Sequence, residues 1–158
     1  MFICYTNFMS EAEQNPIVSL NREIIIELAR QSVAKVYKQN PNALGFVIHG
    51  SRANERIEGK KQPREDSDLD VITIRSNRDD KASEELGNIL WNHIGLKYNI
   101  LVDTGPWGSL EWEEIIKAVG SQADRDRLRQ EWKHLGDDPV VIGANPEVEA
   151  AVKKALLE

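Results

Sequence analysis

Two short apolar runs constrain this chain more than any other feature: Ala43-Leu44-Gly45-Phe46-Val47-Ile48-His49 and Asp68-Leu69-Asp70-Val71-Ile72-Thr73-Ile74. Both are rich in β-branched residues and too short for buried helices. Pro41 and Gly50 bracket the first. Such runs read as strands. Between them lies a polar connection, residues 50–67, rich in Arg, Lys, Glu and Gly. A third strand is expected over Tyr98–Asp103, and a short one over Val140–Ile142.

Helices fill the rest. Ile24, Ile25, Leu28, Ala29, Val33 and Val36 share one face of a helix that begins near Leu20. Asn21 or Ser19 is its expected cap, and Asn40-Pro41-Asn42 ends it. Ala82, Leu86, Ile89, Leu90 and Ile94 form the stripe of a helix over 79–94, with Asp79 or Asp80 in its first turn. Gly105-Pro106-Trp107-Gly108 reads as a turn. Further helices are expected over Ser109–Ala118, Ser121–His134 and Asn145–Leu157, the last opened by a cap residue and a proline. The fold class that follows is α+β: a small mixed sheet with helices mainly on one face.

At 158 residues the chain has the length of one domain. Residues 1–18 show no period and read as a loose arm. Residues 19–158 read as a single domain, with a core over 19–104 and a helical part over 105–158. Asp and Glu outnumber Lys and Arg by 26 to 20, which disfavours a surface built to grip nucleic-acid phosphates. The single Cys4 excludes an internal disulfide framework and a cysteine-built zinc site. The segment Met1–Met9 lacks a basic flank and is too short for a secretion signal, with Met9 as an alternative start. No apolar run approaches a spanning helix. The expectation is a cytoplasmic protein with no membrane partner.

The chemistry concentrates in Gly50-Ser51-Arg52 and Ser67-Asp68-Leu69-Asp70. Asp68 and Asp70 stand two apart on an expected strand, so their side chains share a face while Leu69 enters the core. Two carboxylates that close repel unless a cation lies between them. Hard oxygen donors suit Mg²⁺, which completes its shell with water and phosphate oxygens. Gly50 lets the backbone approach a ligand. Ser51 offers a hydroxyl and an amide to phosphate oxygens, and Arg52 a charge-assisted contact at even odds with a plain surface role.

The pattern Ile48-His49-Gly50-Ser51-Arg52-Ala53 followed by Ser67-Asp68-Leu69-Asp70-Val71 resembles the signature of the DNA polymerase beta-like nucleotidyltransferase superfamily, over Leu44 to Ile74. It is closest to the minimal nucleotidyltransferases and the related domains found in toxins. The resemblance implies a nucleotidyltransferase fold like the polymerase beta palm. It implies transfer of a nucleoside monophosphate from a nucleoside triphosphate to a hydroxyl or phosphate, with release of pyrophosphate. It further implies Mg²⁺, two ions, on three carboxylates. Carried over, Asp68 and Asp70 hold the metals and Gly50 and Ser51 the triphosphate, with Arg52 and Ser67 beside it. The acceptor, whether RNA, protein or small molecule, is left open. So is a non-catalytic partner protein of antitoxin type on the same fold.

The third carboxylate is the open position. Asn99 stands where the local pattern suggests it, and Asp103 lies four residues on. Both share strand parity but are roughly 13 Å apart on an extended strand. Asp103 is the metal ligand and catalytic residue if the strand is offset or the site closes at its end. The long connection, with Lys60, Lys61, Pro63 and Arg64, is either a solvated loop or one that reaches nucleotide or acceptor. His49 is expected to point away from the site as a packed histidine. His93 and His134 read as ordinary helix residues, Trp91, Trp112 and Trp132 as core, and Trp107 as packing more than stacking.

Overall fold

The computed structural model describes residues 19–105 and 108–158. The expected arm, 1–18, and the residues Pro106 and Trp107 lie outside the described residues. The first helix, α1, runs Arg22–Gln39, with the Asn21 side chain accepting from the Ile24 amide at 2.9 Å. Strand β1, Ala43–His49, follows. One short helical turn, α2 (Gly50–Ala53), opens the polar connection. Strand β2 is Leu69–Arg75 and helix α3 is Asp80–Leu90, capped by Asp79. A π-helical turn, Trp91–Gly95, and a last turn, Leu96–Tyr98, prolong α3. Strands β3 (Val102–Asp103) and β4 (Leu110–Glu111) are two residues each. Helices α4 (Trp112–Gly120) and α5 (Gln122–Glu131), strand β5 (Val140–Gly143) and helix α6 (Pro146–Leu156) complete the chain.

Among the described residues the strands form one mixed sheet in the order β3-β2-β1-β5, with β4 also on β2. β1 is antiparallel to both β2 and β5. β3 and β4 run parallel to β2 and share its outer edge, β3 beside Leu69–Asp70 and β4 beside Ile74–Arg75. The part expected to be helical, 105–158, therefore supplies two strands, β4 and β5, as well as helices, and β5 pairs directly with β1.

The helices cover both faces, which corrects the one-sided expectation. Phe46, Ile48, Leu69, Val71 and Ile142 pack with Ile25, Ala29, Val33, Leu86 and Leu90 from α1 and α3. Leu44, Val47, Ile72, Ile74 and Val141 pack with Ile115, Ala118, Leu128, Val148 and Val152 from α4, α5 and α6. Alternation along β1 and β2 sends apolar side chains to both sides. A sheet buried on both faces thus produces the near-continuous apolar runs that mark these strands in the sequence.

The expected third strand is the other departure. Tyr98 ends the helix, and Asn99 takes the left-handed conformation, φ 53 and ψ 48. Asparagine tolerates that geometry at a helix C-terminus. Only Val102 and Asp103 pair as strand.

Candidate active site

β2 begins at Leu69, so Asp68 sits just before it and is exposed, while Asp70 is half-buried. Asp70 alternates with Ile72 and Ile74 and therefore stands on the face covered by α4 to α6. Its register partner on β3 is Asp103. Its partner on β1 is His49. Neighbouring strands lie about 4.8 Å apart, so Asp103, Asp70 and His49 form a row across three strands, beyond the apolar part of that face.

The Asp70 carboxyl is held above its usual value, first by burial, then by the charge of Asp103 and of Asp68. Two neighbouring carboxylates thus act on Asp70, and a cation is what would relieve it. Among the described residues, however, no three of them close tightly enough to form a finished metal cage. One Asp103 oxygen accepts from the Gly105 amide at 2.7 Å. The donor set still fits Mg²⁺, which takes one or two carboxylates and fills the rest of its shell with water and phosphate.

Gly50 sits against this row. Its φ is +73°, and a Cβ there would come within 2.4 Å of Asp70 Oδ2. Glycine meets both demands: the left-handed backbone and the close approach of the carboxylate. Ser51 follows in the same turn, partly exposed. The structure therefore brings Gly50, Ser51, Asp70 and Asp103 to one end of the sheet, with Asp68 beside them. Asn99 is separate: it caps the helix end, outside β3.

Two residues expected beside the triphosphate, Arg52 and Ser67, make contacts within the chain itself. Arg52 is buried, 4% exposed. Its Nε donates to the Ser67 carbonyl at 3.2 Å, and one terminal nitrogen to the carbonyls of Glu65 and Ser67 at 3.0 Å each. The guanidinium is taken up in fastening the end of the connection to α2. The Ser67 hydroxyl accepts from the Arg64 amide at 2.8 Å and so closes a turn. Both residues shape the site from behind. The connection itself is knit together. The Gln62 amide donates to the carbonyls of Asn54, Ile57 and Lys60, and Lys60 pairs with Asp137 at 3.4 Å. Hydrogen bonds to a charged group contribute about 1.5–3 kcal/mol each at most. Arg52→Ala is expected to cost about 2–3 kcal/mol in urea unfolding and to speed tryptic cleavage at Lys60, Lys61 and Arg64.

His49 is packed as expected but stands on the Asp70 side of the sheet, not away from it. It shares the face of Val47 and stands opposite Asp70. Its ring meets that of His134 edge-on at 5.8 Å, and the His134 ring leans on Trp132 at 5.6 Å. Burial lowers the His49 pKa, His134 lowers it further, and Asp103 opposes them. The signal was the strand parity it shares with Val47. His134 lies far off in sequence, and nothing local marks it.

Two cavities, about 640 Å³ beside Arg64 and Tyr98 and about 410 Å³ beside Thr73 and Trp91, are not lined by Asp68 or Asp70. No family model, no curated protein and no solved structure matches this chain.

Proposed function

We propose that the chain is a metal-dependent nucleotidyltransferase of the polymerase beta type, moving a nucleoside monophosphate from a triphosphate to an acceptor with release of pyrophosphate. The observation that carries this reading is the β3 register. It sets Asp103 beside Asp70 at the same sheet end as Gly50-Ser51, which supports a pair of carboxylates next to a turn suited to phosphate.

Asp68, Asp70 and Asp103 would hold Mg²⁺, which supplies charge neutralisation on the phosphates and activation of the attacking oxygen. The chain's own part is positioning. The Ser51 hydroxyl and the backbone of the Gly50 turn orient phosphate oxygens. The β2–β3 register sets Asp70 beside Asp103, and Arg52 ties down the end of the connection at Ser67. Phosphoryl transfer asks for little else than such positioning and charge stabilisation.

Labelled triphosphates, Mg²⁺ and a cell extract provide the test. Label should enter RNA, protein or a small molecule with wild type and vanish with Asp68→Ala, a loss of at least about a hundredfold. Undiminished labelling by Asp68→Ala would sink the proposal.

A non-catalytic binding partner on the same fold is the second reading. It is favoured by the engagement of Arg52, Ser67 and Asp103 with backbone groups of the chain itself. It expects no label with any triphosphate, together with a stable complex with another protein.

The described helices include none long and apolar enough to cross a membrane.

A further inference from the structure

Among the described residues the outer edge of β2 pairs at its start with β3 and at its end with β4, and Thr73 lies between the two pairings. A cavity of about 410 Å³ lies there, within the usual range of small-ligand pockets. Val102 and Thr104 line it, whereas Asp103 between them faces the other way. The cavity and the carboxylate row thus leave β3 by opposite faces.

Three hydroxyls make one wall. Ser109 Oγ is 2.7 Å from Thr73 Oγ1 and 2.7 Å from Ser83 Oγ. Two hydrogen bonds use two of the three hydroxyl hydrogens, which leaves one donor and several lone pairs for a ligand. Helix α3 lines another wall with Glu84, Asn88 and Trp91, one turn apart on one face.

Trp91 is the anchor. The sequence places it in the core, yet it is 39% exposed. It opens the π-helical turn, and a Cβ on Gly95 would come within 2.3 Å of its ring. The indole therefore lies directly on the Gly95 backbone and borders the cavity. π-Turns inside helices often occur at functional sites.

Among the described residues the lining includes no Lys, Arg or His, and Glu84 adds a negative charge. That selects against phosphate and favours a neutral ligand with an N–H to donate. An indole wall takes a flat ring. Hydroxyls and an amide serve the mixed donor and acceptor edge of a heterocycle. We propose that this cavity binds a nucleoside whose base carries an exocyclic amine, stacked on Trp91 and donating that amine to Glu84.

Calorimetry or ligand-observed NMR with adenosine, cytidine, guanosine and uridine, in EDTA, tests this. At least one amine-bearing nucleoside should saturate below about 10 mM and bind more tightly than uridine. Trp91→Ala should weaken it about tenfold or more, as loss of a base–aromatic stack does. Glu84→Gln, an exposed substitution that leaves the fold intact, should erase the preference over uridine. Asp70→Asn should leave binding unchanged, which separates this site from the transferase reading. Absence of saturation by all four nucleosides would overturn the proposal. So would equal binding of uridine, an unchanged affinity in Glu84→Gln, or glucosamine competing as strongly as the best nucleoside.

Discussion

Asp70→Asn is expected to abolish nucleotidyl transfer and at the same time raise the melting temperature in metal-free buffer at neutral pH. Burial and the charges of Asp103 and Asp68 hold the Asp70 carboxyl above its unfolded value. The folded state therefore retains a proton that the unfolded chain has released. Stability from this group is complete below the unfolded pKa and is lost as pH rises through the folded one. The asparagine variant escapes that loss. Its advantage should be near zero at about pH 3 and grow to a plateau above the folded pKa. The carboxylate is half-exposed, so solvent screening limits the gain to about 1–3 °C. Thermal melts at several pH values, with and without Mg²⁺, give the answer. Wild type should be stabilised by Mg²⁺ and the variant should not. A variant less stable than wild type at neutral pH would show that the carboxylates do not repel one another as placed.

Gly50→Ala should be the converse: a loss of both stability and function. A left-handed φ of +73° costs an alanine about 1–2 kcal/mol, or roughly 2–8 °C in a chain of this length. The new methyl would also meet Asp70 Oδ2. That atom is the end of a side chain and can swing away, so the clash adds little to the stability loss. It falls instead on the position of the carboxylate, and a displacement of about 1 Å at a reacting group costs on the order of a hundredfold in rate. Activity should therefore fall much further than the melting temperature implies. A melting temperature and an activity in Gly50→Ala equal to those of wild type would refute the contact.

Much of this architecture was legible in the sequence, and the reasons are local. β1 is bracketed by Pro41 and Gly50, and α1, α3, α5 and α6 carry side-chain caps at Asn21, Asp79, Ser121 and Asn145. Each of these signals acts within a few residues. What escaped depends on distant partners. The strand expected over Tyr98–Asp103 dissolved into a helix end because Asn99 accepts a left-handed turn, which the apolar Ile100-Leu101-Val102 conceals. The carboxylate pair Asp70 and Asp103 is set by a parallel register, which no spacing encodes. Arg52 reads as a ligand contact beside Gly50-Ser51. Only the return of the chain at Glu65 and Ser67 reveals what it holds. The one-sided cover was misjudged because α4 to α6 follow the strands in sequence, although β5 returns to the sheet between them.

The outer edge of β2 has a consequence for solubility. A long exposed strand is a template on which another chain can add by backbone pairing. Here, among the described residues, that margin is paired by two strands of two residues each, β3 and β4, which meet opposite ends of β2. An edge taken up at both ends by short strands offers an incoming chain less to register against than one long free strand.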